Sequence, residues 1–189
     1  MLRYDPVMVV LGIDPGSITA GYAVIESSGR KFSYIDSGIM KYGHIKNFID
    51  RLGLIYRSCH ELVVRYNPDE IAVESLVYVK GTTSIMKLAQ ARGAMLAAFM
   101  EKYQEKVFEY SPNLVKSSVT GYGHLGKDGV QKSLSMIFGE RIFKTNDESD
   151  ALAIALCHGL CKGTDTGLNL KMTSKKRSMK DLARCKRVV

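Results

Sequence analysis

Four carboxylates stand out by type and position. Asp14 closes the apolar run Met8-Val9-Val10-Leu11-Gly12-Ile13, and Pro15-Gly16 follows at once. Glu74 closes a second short run, Glu70-Ile71-Ala72-Val73. Asp147 and Asp150 stand three apart at the head of Ala151-Leu152-Ala153-Ile154-Ala155-Leu156. A carboxylate at the edge of a core is costly to desolvate unless it is paired, hydrogen-bonded or bound to a metal. Converging acids repel one another, and some of their pKa values rise until cations neutralise them. Hard divalent cations bound through oxygen meet that need, and Mg²⁺ takes a few carboxylates while keeping several waters. Two such ions roughly 3.5–4 Å apart can activate a water and stabilise the leaving oxygen in phosphodiester cleavage. Each acid also has a plainer reading. Asp14 can hydrogen-bond its own turn, and Asp147 can cap a helix whose dipole favours acids in the first turn. Capping does not account for Asp150 on an apolar face.

The elements that must carry these acids are legible in the pattern. Short runs rich in Val and Ile read as buried strands, and Pro-Gly stops the first of them at Asp14. Thr19 to Ile25 and Phe32 to Met40 read as two further strands, turned at Ser28-Gly29-Arg30 into a hairpin. Phe48, Leu52, Ile55, Cys59, Leu62 and Tyr66 form one apolar stripe on a helix that Asn67-Pro68 ends. Cys59 lies on that stripe and reads as a core thiol. Glu70 to Glu74 is a strand, Ser84 to Tyr103 a second long helix, and Lys106 to Tyr110 a fifth strand. Ser111-Pro112 supplies an N-cap and a first-turn proline for a short helix to Val119. The Gly-rich segment Gly121 to Gly129 reads as a mobile loop, Val130 to Phe138 as helix, and Asp147 to Leu160 as the last strong helix. The expected fold is α/β, a five-stranded mixed sheet flanked by helices. In the second long helix Ala89, Gly93 and Ala97 recur every four residues, as do Gln90, Ala94 and Ala98. Small residues at that spacing admit a close neighbour, either inside the subunit or in a second copy.

The whole chain narrows the choice of partner. Its 189 residues suit one domain, and 46% hydrophobic residues suffice for a sizeable core. Net charge is +8 and the pI about 9.3, which points to a polyanion such as nucleic acid. Nine Lys or Arg and two acids fall between Lys162 and Val189. We therefore divide the chain into a domain over 1–163 and a flexible basic tail over 164–189, with a weak helix from Met179 to Arg187. No run is long enough to span a bilayer, and the apolar start is too short for a signal peptide. The four cysteines lack disulfide spacing, so the expected compartment is the cytoplasm. Cys157, His158 and Cys161 crowd one helix, but four zinc ligands in a usable geometry are not visible.

The segments Leu11-Gly12-Ile13-Asp14-Pro15-Gly16-Ser17, Ala72-Val73-Glu74, Leu88-Ala89-Gln90-Ala91-Arg92-Gly93 and Asp150-Ala151-Leu152-Ala153-Ile154-Ala155 occur in that order. With Val115-Lys116 to Val119, Gly121, Gly123, Lys127 and Val130, they resemble the RuvC family of Holliday-junction resolvases over roughly Met8 to His158. The resemblance implies a ribonuclease-H-like fold, a homodimer and a Mg²⁺-dependent endonuclease that makes paired symmetric nicks in a four-way DNA junction. By position it implies that Asp14, Glu74, Asp147 and Asp150 bind one or two Mg²⁺ ions per subunit, with Mn²⁺ an acceptable substitute. It likewise places Lys116 and Lys127 near the scissile phosphate, and it implies branch-migration motors of the RuvA and RuvB type as partners. The family's stacking aromatic, three residues after the strand acid, is here Val77; the aromatic is Tyr78, one residue on. Tyr78 either takes that role after a small loop shift or simply packs in its loop; stacking on an unpaired base is worth about 1–3 kcal/mol. Two rival readings are an actin-like or Hsp70-like ATPase and a junction-binding protein without catalysis. The first needs a second lobe for which this chain is too short, and the second leaves four placed acids without a purpose.

Overall fold

The computed structural model describes residues 6–76, 82–121, 127–165 and 186–187. Its strands are β1 (Met8–Asp14), β2 (Thr19–Ser28), β3 (Lys31–Lys41), β4 (Glu70–Glu74), β5 (Val107–Tyr110) and β6 (Lys186–Arg187). Its helices are α1 (Phe48–Tyr66), α2 (Thr82–Met100), α3 (Pro112–Thr120), α4 (Lys127–Phe138) and α5 (Asn146–Asp165). One mixed sheet runs in the order β3-β2-β1-β4-β5-β6. β1, β2 and β3 are antiparallel neighbours, while β1, β4 and β5 run parallel. Five of these strands are those legible in the sequence. The sixth is a two-residue addition, in which Lys186 and Arg187 pair antiparallel with Glu109 and Phe108. These two residues are therefore strand, not the end of a weak helix. α5 continues two residues past the expected boundary at 163, to Asp165; the remainder of the basic tail lies outside the described residues.

Two helical layers cover the sheet, and the alternation of strand side chains divides the core between them. Leu11 and Ile13 of β1, with Ile71 and Val73 of β4, face α1 and α2. Val10 of β1 and Ala72 of β4 face α3, α4 and α5. The α1 stripe predicted from sequence is the buried one, with Cys59 fully inside. Asn67 ends α1 in the left-handed conformation, its N–H donating to the Val63 carbonyl. Ser111 caps α3 as expected, accepting from Leu114 N at 3.3 Å. α2 stops at Met100, three residues early, because the chain turns through Lys102 and Tyr103, both bonded back to the Phe99 carbonyl.

α5 is the central helix of the second layer, buried on every side from Ala151 to Gly159. It lies unusually close to the sheet because two strand glycines leave room. A Cβ on Gly12 would sit 2.4 Å from the Ala151 carbonyl oxygen, and one on Gly21 would sit 1.9 Å from that of Asp147. Real Cβ atoms do not approach so closely, so any other residue at either position pushes the helix away. No helix among the described residues is long and apolar enough to cross a membrane.

Candidate active site

β1 and β4 are parallel neighbours, with Ile13 opposite Val73 as the last registered pair. Asp14 and Glu74 each come one residue later, at the same end of adjacent strands about 4.8 Å apart. Alternation then fixes their face. Val10 and Ala72 point towards α5, so Asp14, four residues on, and Glu74, two residues on, share that side. Asp14 is also registered with Gly21 of β2, the residue over which the Asp147 carbonyl sits. The N-terminal end of α5, with Asp147 in its first turn and Asp150 at the start of the next, thus enters beside the strand end that carries Asp14. All four acids are partly buried.

Electrostatics link two of them directly. Burial pushes the Glu74 carboxyl up to about 7, the Asp150 carboxylate adds to the push, and the Lys116 ammonium opposes it. Lys116 is exposed on α3, so its charge reaches the site from the solvent side. A strand-end acid and a helix acid therefore share one low-dielectric region, with a lysine beside them. As the side chains stand, no three His, Cys, Asp or Glu among the described residues form a ready-made ligand cage. The donor set nonetheless fits a hard divalent cation: it is all carboxylate oxygen, and the Asp150 carboxylate raises the proton affinity of Glu74, as a like charge awaiting a counter-ion does.

Supporting contacts hold both strand ends. Arg92 of α2, only 12% exposed at its side chain, pairs with Glu109 at 3.0 Å. Its Nε donates to the Glu74 carbonyl at 3.3 Å. Arg51 of α1 donates to the Ser17 carbonyl in the turn after Asp14 and to the Ile45 carbonyl. Neither arginine was assigned a role from sequence, because their partners are 18 and 34 residues away.

Other sequence expectations fall differently. The cap of α5 is Thr145, whose Oγ1 accepts from Glu148 N at 3.4 Å, and not Asp147. Asp147 is one turn position inside the helix and is free of capping duty on that count. The signal was present as Thr145-x-x-Glu148, the pattern of a capping box. Both ring nitrogens of His158 are engaged, Nδ1 with the Tyr110 hydroxyl at 2.7 Å and Nε2 with Glu70 at 2.6 Å. Lys162 donates to the other Glu70 oxygen at 2.8 Å. His158 is thus a core histidine tying α5 to β4 and β5. Lys127 opens α4, its side chain lying outside what is described, and Val77, Tyr78 and most of the Gly-rich loop lie outside the described residues. On α2, the Ala89, Gly93 and Ala97 line faces outward, and a Cβ at Gly93 would meet nothing. Ala91, Met95 and Ala98 face the core instead. Packing within the subunit therefore does not explain that outward line.

A mixed sheet of this order, with carboxylates gathered at one end under a buried helix in a basic chain, defines a ribonuclease-H-like nuclease. Comparison with known proteins narrows the class. Residues 10–158 match the family model of crossover junction endodeoxyribonuclease RuvC. The RuvC of Halothermothrix orenii is 39% identical over 153 residues, spanning 80% of this chain and 92% of that protein. The RuvC of Legionella pneumophila is 38% identical over 173 residues, spanning 91% and 98%. The structure of Thermus thermophilus RuvC in complex with a Holliday junction substrate superposes with a TM-score of 0.78 at 31% identity, covering 84% of this chain and 97% of that one. The chain belongs to the RuvC family of crossover junction endodeoxyribonucleases, and membership implies use of a divalent metal.

Proposed function

We propose that this chain resolves four-way DNA junctions by paired symmetric nicks, with Asp14, Glu74, Asp147 and Asp150 holding one or two Mg²⁺ ions per subunit. The observation that carries the reading is the shared field of Glu74 and Asp150, two acids from separate elements brought together in a basic protein. A divalent cation there supplies positive charge to the scissile phosphate and raises the acidity of the attacking water. The protein's own groups do the rest. Arg92 holds the backbone of Glu74, and the glycines under α5 bring Asp147 and Asp150 to the sheet end. Lys116 offsets the acids and offers a cation where charge develops on the phosphate. Lys127 serves as a second phosphate contact, and Tyr78 stacks at the opened junction centre. Cys59, Cys157 and Cys161, not joined in disulfides, agree with a reducing cytoplasm, where branch-migration motors of the RuvA and RuvB type are the expected partners. Residues 1–163 act as the nuclease domain, and the basic residues of 164–189 add phosphate contacts.

A synthetic four-way junction tests the reading. With Mg²⁺ the protein is expected to nick two opposed strands at matching positions, and with chelator to bind without cutting. Binding without cutting in both conditions would favour an architectural protein and overturn the nuclease assignment.

Paired nicks need two sites, and we place the dimer contact on the outward face of α2. Met86, 56% exposed, continues the Ala89, Gly93 and Ala97 line. Because a Cβ at Gly93 meets nothing within the subunit, Gly93→Leu is expected to leave the monomer fold intact. Sedimentation should show its dimer weakened, and the two nicks should lose their coordination. An unchanged dimer would remove this face from the interface.

A further inference from the structure

Glu148 lies beside Asp147 in the first turn of α5, yet it is 6% exposed and points into the protein. A buried carboxylate needs partners, and this one has them on two other segments. Ser37 Oγ of β3 donates to its Oε1 at 2.7 Å, across 111 residues of sequence. The backbone N–H of Lys144, in the connection from α4, donates to its Oε2 at 2.8 Å. Ser37 is itself bonded to the Tyr34 hydroxyl at 3.0 Å, and the Arg141 guanidinium lies 3.5 Å from the Tyr34 ring centre. Tyr34 and Ser37 reach the same face although three residues apart, because a bulge interrupts the register between Val24 and Ile25. A bulge, a serine, a helix acid and the incoming connection are thereby locked together.

The surroundings explain why such a lock is needed. From Ala151 to Cys157 the helix buries Ala, Leu and Ile on all sides. Apolar packing of that kind is non-directional, and the polar contacts of His158 and Lys162 with Tyr110 and Glu70 anchor the far end of the helix, not its first turn. Each residue along a helix turns the face by about 100°. A modest rotation of the first turn therefore swings Asp147 and Asp150 away from the strand ends. Glu148 is the directional contact in that turn.

We infer that Glu148 is a positioning residue: through Ser37 and the Lys144 N–H it sets the rotation of α5 so that Asp147 and Asp150 face Asp14 and Glu74. The inference rests on the reading of Asp147 and Asp150 as metal ligands. Its test compares Glu148→Ala, Glu148→Gln and Ser37→Ala, with Asp150→Asn alongside. Glu148→Ala is expected to slow single-turnover cleavage 10–100-fold, the usual cost of losing support to a metal ligand, with junction affinity unchanged. It should weaken Mn²⁺ binding to the DNA-free protein, read by titration calorimetry, by a similar factor. Glu148→Gln should restore both to within a few-fold, since its amide oxygen accepts from Lys144 N and its NH₂ donates to Ser37 Oγ. Ser37→Ala should fall between, and it carries the test if Glu148→Ala fails to fold. Glu148→Gln as impaired as Glu148→Ala would show that the charge itself is required and overturn positioning. Full cleavage and Mn²⁺ affinity in Ser37→Ala and Glu148→Ala would overturn it too. Cleavage by Asp150→Asn would instead bring down the ligand reading itself, so the two failures are distinct.

Discussion

Asp14→Asn is expected to abolish junction cleavage, by on the order of 10³-fold or more, while junction binding stays within a few-fold of the parent. The register puts Asp14 beside Glu74 and one strand from the turn of α5 that bears Asp147. A carboxylate in that place is the natural central donor to a divalent ion, and a metal's stabilisation of phosphoryl charge is worth several kcal/mol, each 1.36 kcal/mol being about tenfold in rate. Asn keeps the volume and one acceptor oxygen but removes the charge. Every lysine and arginine is left in place, so mobility-shift affinity should persist. Denaturing gels of a labelled junction provide the measurement. Cleavage within tenfold of the parent would remove Asp14 from the metal site.

Glu74→Gln is expected to destroy cleavage and yet stabilise the metal-free protein above neutral pH. Burial first, and the Asp150 carboxylate second, hold the Glu74 carboxyl at about 7 against an ordinary 4.5. Between those values the folded state binds more protons than the unfolded one, so stability falls as pH rises through the window. Above it the full cost is present; below it there is none. At about 1.4 kcal/mol per pKa unit, the cost at pH 8 is about 2–3 kcal/mol for this partly buried group. In chelator at pH 8, Glu74→Gln should melt roughly 5–10 °C higher than the parent, and at pH 4 at nearly the same temperature. Adding Mg²⁺ should raise the parent and close the gap, because an ion that binds only the folded state stabilises it. A variant no more stable than its parent at pH 8 in chelator would show that Glu74 carries no such strain. Loss of activity together with gain of stability would mark the acid as kept for chemistry and not for folding.

Much of this protein was settled by local sequence. The Val- and Ile-rich run that Pro15-Gly16 terminates had to be a strand ending on Asp14, because periodicity and turn chemistry are properties of neighbours along the chain. The α1 stripe, the Asn67 stop and the Ser111 cap were legible for the same reason, and all lie where their patterns place them. The types of the four acids suggested a chemistry, and the ordered motifs around them were enough to name a family. Contacts between distant segments were decided only by the folded chain. Whether the small-residue line of α2 faced inward or outward depended on which side of the helix met the sheet. The edge pairing of Lys186–Arg187 with β5 has no local signature, since a two-residue strand exists only where an open edge receives it. The Thr145-x-x-Glu148 pattern was present in the sequence, but only the fold sets Ser37, opposite Ala23 on the face that α5 covers, within reach of Glu148. Sequence determined which residues could do the chemistry. The tertiary structure decided which of them share a field, because electrostatic coupling depends on distance and burial and not on separation along the chain.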